Sequence, residues 1–135
     1  MATELGYVDA FRRFNAKLEN PNWAVSAISS NNEFVLSCWA QYFKTGGKGI
    51  LLYVDRLSRW TGNVAGNNLL KSHLSKAFKE KLPARVVMAT AEKPEEVESV
   101  NDASKIRKKF TVREDLIGHV TLFDGDNFVI EYRSI

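Results

Sequence analysis

The stretch that decides the fold is Glu33-Phe34-Val35-Leu36-Ser37-Cys38-Trp39-Ala40-Gln41-Tyr42-Phe43. In an extended chain successive side chains point to opposite sides, so one side would carry Phe34, Leu36, Cys38, Ala40 and Tyr42. The other side would carry Val35, Ser37, Trp39 and Phe43. Both sides are largely apolar, and a strand that is apolar on both sides is normally covered on both. We therefore predict that this stretch is a central strand of a sheet.

The residues before this strand predict a helix and a short strand. Apolar residues recur at three- and four-residue steps through residues 4–19, which indicates an amphipathic helix. Asn20-Pro21 ends it, because proline cannot continue the helical hydrogen bonds and restricts the residue before it. Residues 23–29 then read as a strand, joined to the central one by the turn-forming Ser29-Ser30-Asn31-Asn32.

The residues after the central strand alternate between loops, strands and one long helix. The helix is expected to begin at a cap provided by Asn67 or Asn68 and to run to about Lys81. Residues 44–49 and 55–63 are predicted loops, and residues 94–105 a short acidic helix or loop. The expected strands are 50–54, 85–91, 110–112, 117–123 and 128–132, with a hairpin turn at 124–127. The predicted fold class is α+β, a mostly antiparallel sheet with an N-terminal helix and a central helix packed on it.

Length and composition describe an ordinary globular protein. The chain has 135 residues, 44% of them hydrophobic, which suits one domain over residues 1–135. It has no apolar run of about eighteen residues that could cross a membrane, and residues 1–5 do not resemble a secretory signal. The lone Cys38 fits a reducing cytosol, so we predict a cytoplasmic protein. One cysteine and two histidines are too few for a structural zinc site, and no metal or cofactor is expected.

Positive charge is concentrated in two segments. Residues 44–85 contain nine basic residues against Asp55 and Glu80, and residues 103–113 contain five basic residues and no acid. Acidic residues are concentrated in residues 92–102 and 114–135. Two basic segments separated by acidic ones can fold into one surface that attracts polyanions.

Three catalytic interpretations start from short motifs. The glycine-rich loop 44–49 lacks P-loop spacing, since Lys48 is followed by Gly49 and then a predicted strand. His73-Leu74-Ser75 and His119-Val120-Thr121 match the H-x-S/T pattern of two-histidine phosphoesterases, in which paired imidazoles act as acid and base. A metal-dependent nuclease would need a lysine where Glu131-Tyr132-Arg133 has an arginine, which does not readily give up a proton. We predict that the chain is not an enzyme and keep the His73 and His119 phosphoesterase as a lesser alternative.

The basic residues are the candidate binding site. Arginine, lysine and asparagine side chains hold phosphates and read base edges, and dense basic runs bind the DNA backbone independently of sequence. The predicted DNA-binding residues are Lys44, Lys48, Arg56, Arg59, Asn67, Asn68, Lys71, Lys76, Lys79, Lys105, Arg107, Lys108 and Lys109.

A resemblance supports this interpretation. Asn20-Pro21-Asn22-Trp23-Ala24-Val25-Ser26-Ala27 and Val35-Leu36-Ser37-Cys38-Trp39 are similar to motifs of the N-terminal recognition domains of phage HNH and GIY-YIG endonucleases and of phage-satellite replication initiators. Residues 68–73, 84–89, 116–118 and 123–126 continue the similarity, while Ala24 stands where the family has serine. In such proteins the module directs an attached C-terminal catalytic domain to DNA. The resemblance implies that the chain is an excised N-terminal domain. Trp23 and Trp39 also have a purely structural interpretation, as residues of a strand start and of the core.

The sequence therefore predicts a double-stranded DNA-binding module that recognises a specific sequence. The resemblance implies the origin-binding domain of an initiator or the targeting domain of a phage nuclease, acting in the cytoplasm of a bacterial host. The alternative is a protein-binding phage adaptor or inhibitor. The expected partner is duplex DNA without membrane or small-molecule cofactor, and a homodimer is left open.

Overall fold

The computed structural model describes residues 4–99 and 106–135. Its helices are α1 Tyr7–Arg12, α2 Val64–Glu80 and α3 Pro94–Ser99, and short 3-10 turns occupy Ala40–Tyr42 and Leu57–Trp60. Its strands are β1 Ser26–Ile28, β2 Phe34–Trp39, β3 Phe43–Gly47, β4 Ile50–Arg56, β5 Ala84–Ala91, β6 Lys108–Val112, β7 Leu116–Phe123 and β8 Asn127–Ser134. The predicted α+β class is confirmed. No helix in these two ranges is long and apolar enough to span a bilayer.

All the strands belong to one sheet. Their order is β1-β2-β5-β7-β8-β4-β3, and β6 also pairs with β5. Only the β2–β5 pair is parallel, among the pairs of the described strands. β2 lies between β1 and β5, so its central position is confirmed. The strand ends at Trp39 and not at Phe43 as predicted, because Ala40–Tyr42 form a 3-10 turn and Phe43 begins β3. Two strands share one edge of β5. β6 pairs with the second half of β5, and β7 contacts the start of β5, where Gly118 lies opposite Ala84.

The two sides of the sheet are covered by different helices. On one side, called the α2 side, Phe34 and Leu36 pack in one buried cluster with Leu74 of α2. On the other, the α1 side, Val35 and Val87 pack with Phe11 of α1. Burying a side chain of this size stabilises a fold by roughly 1.5–3 kcal/mol, so both layers contribute to stability. The helices predicted to cover the sheet do so on opposite sides.

The sheet is strongly curved. The backbone N–H of Trp39, at the end of β2, donates a hydrogen bond of 3.1 Å to the Tyr53 hydroxyl of β4. In the strand order, β5, β7 and β8 lie between these two strands. Tyr53 reaches across because it points to the α2 side, where it is almost fully buried. The curvature therefore brings the end of β2 next to the end of β4 and the turn that follows it.

Several predicted boundaries are wrong for local reasons. α1 covers only Tyr7–Arg12, since Asn15 has a φ of 58° and the Ala16 N–H turns back to the Phe11 carbonyl at 3.1 Å. α2 is capped by Asn63 rather than Asn67 or Asn68, because the Asn63 side chain accepts from the Gly66 N–H at 3.1 Å.

The two predicted connections at residues 44–49 and 124–127 differ in their outcome. The loop predicted for residues 44–49 is mostly strand β3, which pairs with β4 through a bulge between Thr45 and Gly47. The hairpin turn predicted for residues 124–127 is confirmed between β7 and β8. There the Asp124 carboxylate accepts from the N–H groups of Asp126 and Asn127 at 2.9 and 2.8 Å.

Candidate functional site

All three tryptophans of the chain meet near the end of β2. Trp23 and Trp39 line a cleft of about 340 Å³, which we call the tryptophan cleft. Trp39 and Trp60 line a narrower cavity that adjoins it, and Asn63 borders both. The remaining large walls of the tryptophan cleft are Tyr7 and Phe110, and its polar side chains include Asn22, Ser37 and Lys108. The cleft is therefore a concave surface with both aromatic and polar side chains.

The cleft walls come from distant parts of the chain. Phe110 of β6 stacks at a tilt on Tyr7 of α1, with 4.6 Å between ring centroids. The Tyr7 hydroxyl donates to the Ala24 carbonyl at 2.6 Å, which ties α1 to the segment before β1, and burial raises the pKa of Tyr7. The Asn63 side-chain amide donates to the Trp23 carbonyl at 2.9 Å. These contacts hold the wall that carries Trp23 against both α1 and α2.

A buried carboxylate organises the narrower cavity. One oxygen of Asp55 accepts from the backbone N–H of Arg56 and from Nε of Arg59, each at 2.8 Å. The other accepts from the Tyr53 hydroxyl at 3.3 Å and from the Trp60 indole N–H at 3.0 Å. The Asp55 side chain is only 3% exposed, so these four donors replace the water that its charge would otherwise require.

The same carboxylate positions the aromatic rings. Trp60, held by its indole N–H, lies nearly parallel to Trp39 with ring centroids 6.3 Å apart. Arg59 extends the other way and stacks its guanidinium 4.5 Å from the Tyr42 ring centroid. Trp39 is thus supported by Trp60 within a buried cluster, and the Lys108 ammonium lies 6.0 Å from its ring centroid.

Arg56, Arg59, Asn67 and Asn68 are the predicted residues whose side chains can read base edges, and two of them are engaged inside the protein. Arg59 is bound to Asp55 and Tyr42 as described, and the Asn67 side-chain amide donates to the Leu57 carbonyl at 2.7 Å. Arg56 and Asn68, by contrast, have exposed side chains. The sequence did not show this difference, although Asp55 lies four residues before Arg59 and was a signal for an ion pair.

The predicted lysines lie on three separate elements. Lys71 and Lys79 are exposed on α2, and Lys76 forms an ion pair with Glu80 at 2.9 Å. Lys44 and Lys48 are exposed on the β3–β4 hairpin.

The second basic segment leads into β6 and adjoins the tryptophan cleft. Arg107 and Lys109 are exposed, and Lys108 is partly buried at the cleft. The Lys108 ammonium donates to the Ile106 carbonyl at 3.1 Å. Lys105 lies outside the described residues. The acidic helix α3 packs on the neighbouring strand β5 through Val97, so negative charge also lies close to this end of the sheet.

The structure does not bring the two histidines together. His73 of α2 faces β1, where its Nδ1 lies 2.8 Å from the hydroxyl of the buried Ser26. His119 of β7 is exposed and lies opposite Glu131 on the side of the sheet away from α2. The sheet therefore separates the two imidazoles that a two-histidine phosphoesterase would need on one substrate.

The environment of His73 predicts that the stability of the fold depends on pH. Burial lowers the pKa of His73 from its ordinary 6.5, an effect that the charge of Glu19 partly offsets. The unfolded chain then binds a proton more readily than the folded one, so stability is complete above about pH 6.5 and is lost as the pH falls towards the folded pKa. We expect wild-type protein to lose more stability between about pH 7.5 and 5 than His73→Asn, which still can bond to Ser26. Urea unfolding at both pH values measures this, and equal losses would contradict it.

Other reactive groups offer no second site. Burial raises the pKa of the Cys38 thiol well above its usual value, which makes it unreactive. The described residues contain no cluster of three histidine, cysteine or acidic side chains suited to a metal ion. Comparisons with protein-family models, with curated proteins and with solved structures found no match.

Proposed function

We propose that the chain is a double-stranded DNA-binding module. The observation that carries the proposal is the placement of two basic elements beside one aromatic cleft. Asn63, which borders the tryptophan cleft, caps α2, and Lys108, which also borders it, belongs to β6. Exposed cations continue from there along both elements, Lys71 and Lys79 on one and Arg107 and Lys109 on the other.

Helix α2 suits the major groove. Its 17 residues span about 26 Å at about 1.5 Å per residue, and an α-helix fits into the major groove of B-form DNA. Its only acid is Glu80, at the last position, and Lys76 is paired with it. The exposed Asn68 near its start has the donor and acceptor pair that can read adenine, and the exposed Arg56 could read guanine. Arg107 and Lys109 suit backbone phosphates.

The proposed biological role follows the resemblance in the sequence. A module of this kind would direct a catalytic domain to a DNA site, as the targeting part of a phage nuclease or the origin-binding part of an initiator in the bacterial cytoplasm. Sequence preference would come from Arg56 and Asn68, and a homodimer would bind two half-sites.

Salt dependence of duplex binding tests the proposal. If four to eight phosphates are neutralised, the logarithm of affinity should fall against the logarithm of salt concentration with a slope of roughly −4 to −7, at about −0.9 per phosphate. Titration of a labelled duplex by fluorescence anisotropy at several salt concentrations measures the slope. A slope near zero, or no binding at low salt, would exclude this function.

One observation favours a second function, a protein-binding adaptor. On the side of the sheet away from α2, residues opposite one another in β7, β8 and β4 form rows that include partly exposed apolar side chains. One row, Leu122, Val129 and Val54, is apolar, and Leu122 is 44% exposed. Exposed apolar surface of this kind is typical of protein contacts. An adaptor would show little affinity for duplex DNA at any salt concentration, so the same titration separates the two functions.

A further inference from the structure

The tryptophan cleft has the chemistry of a site for one planar, electron-rich ring. Trp23, Trp39, Tyr7 and Phe110 provide aromatic walls, and no part of the proposed contact with paired DNA uses them. The volume of about 340 Å³ lies at the lower end of the range for small-ligand sites, roughly 300–1,000 Å³. A single nucleobase with its sugar fits such a space, whereas a base pair in a stacked duplex cannot enter it.

The polar groups around the cleft match the rest of a nucleotide. Ser37 lies inside it, and Asn22 is exposed at its rim. Hydroxyl and amide groups can bond to the Watson–Crick edge of an extruded base. The ammonium of Lys108 lies at the cleft beside the Trp39 ring, and the exposed Arg107 and Lys109 precede and follow it in the chain. Cations next to stacking rings are the combination that binds unpaired nucleotides.

The cleft is built in advance of any ligand. Asn63 fixes the Trp23 backbone, and Trp60 supports the Trp39 ring from the side of the narrower cavity. The Tyr7 hydroxyl is already bound to the Ala24 carbonyl. Because these walls are held by contacts within the protein, little conformational freedom would be lost when a base enters.

We propose that the tryptophan cleft holds one unpaired nucleobase of the bound DNA, stacked against Trp23. This inference rests on the proposed DNA binding and adds to it the form of DNA that is preferred, a duplex containing one unpaired or weakly paired base. Such a base costs less to extrude than one in a complete pair, so the duplex that carries it binds more tightly.

The experiment compares two duplexes of the same sequence, one fully paired and one with a single unpaired 2-aminopurine. Wild-type protein is expected to bind the second at least about fivefold more tightly, the lower end of what base–aromatic stacking provides. Trp23→Ala should lose this preference and Trp23→Phe should keep most of it. Leu122→Ala is the control, because Leu122 is a 44% exposed apolar residue of β7 outside both the cleft and α2, and it should keep the preference.

A second measurement needs no variant. A base inside the cleft is shielded from solvent, so acrylamide should quench the fluorescence of the unpaired 2-aminopurine less in the complex than in free DNA. Equal affinity for both duplexes with a steep salt slope, or unchanged acrylamide quenching, would overturn the inference and leave the proposed DNA binding standing. Absence of binding to both duplexes at low salt would overturn both.

Discussion

Replacement of Asp55 by alanine is expected to lower the free energy of unfolding by about 3 kcal/mol. The change leaves Arg59 without its ionic partner and removes the acceptor of the Trp60 indole and the Tyr53 hydroxyl. Removing one member of a buried ion pair usually costs about 3–5 kcal/mol. We expect the lower end, because 28% of the Arg59 side chain is exposed and water can reach its charge.

A matched control separates this effect from the loss of any aspartate. Asp9 forms an ion pair of 3.0 Å with Arg12, but both side chains are mostly exposed, at 61% and 73%. Exposed pairs contribute about 0–1 kcal/mol, so Asp9→Ala should change stability by less than about 1 kcal/mol. Chemical denaturation of both variants measures the difference. A loss as small for Asp55→Ala as for Asp9→Ala would show that the buried network is not a principal source of stability.

The same network explains why charge alone was a poor guide to the binding surface. Arg59 and Arg56 are equivalent in a count of basic residues, yet the first is turned inward to Asp55 and the second outward to solvent. The difference arises from the turn after β4, which places Arg59 and Trp60 over the same carboxylate. The sequence predicts an irregular segment there but does not indicate where its side chains point.

The strands were predictable because each has a local signal. The two apolar faces of residues 33–43 indicated a central strand, and Asp124 with Gly125 indicated the last hairpin. The cap of α2 was missed because Asn63, Asn67 and Asn68 all suit a cap and the sequence does not rank them. The choice is made by the Asn63 amide, which also bonds to the Trp23 carbonyl, forty residues away in the chain.

The tryptophan cleft was not predictable for the same reason. Each of its walls, taken alone, reads as a core residue. Only the curvature of the sheet and the bond from the Tyr7 hydroxyl to Ala24 bring them around one space. A weak signal existed, since tryptophan is rare in the chain and two of the three lie in the segments that carry the resemblance to recognition domains.

The largest expected effect on DNA binding comes from removing charge from α2 and from the start of β6. We expect the variant Lys71→Ala/Lys79→Ala/Arg107→Ala/Lys109→Ala to bind duplex about a thousandfold more weakly than wild type at about 0.1 M salt. Each lost phosphate contact makes the salt slope shallower by about 0.9. At about 0.1 M salt, which is tenfold below about 1 M, each lost contact therefore weakens binding by nearly tenfold. The slope itself should therefore decrease by about three to four.

The control variant removes the same charge from elsewhere on the protein. Arg12→Ala/Arg13→Ala/Lys17→Ala/Arg133→Ala also subtracts four positive charges from the net charge of +3, but its exposed positions lie outside the proposed surface. Long-range attraction depends on net charge and is screened by salt, whereas a direct phosphate contact releases counterions where it forms. If location matters, the control should keep a slope close to that of wild type and lose at most about tenfold in affinity. Equal losses in the two variants would mean that binding follows net charge alone. A large loss in the control alone would place the DNA on the surface that carries the control residues, and would exclude α2 and β6 as its binding elements.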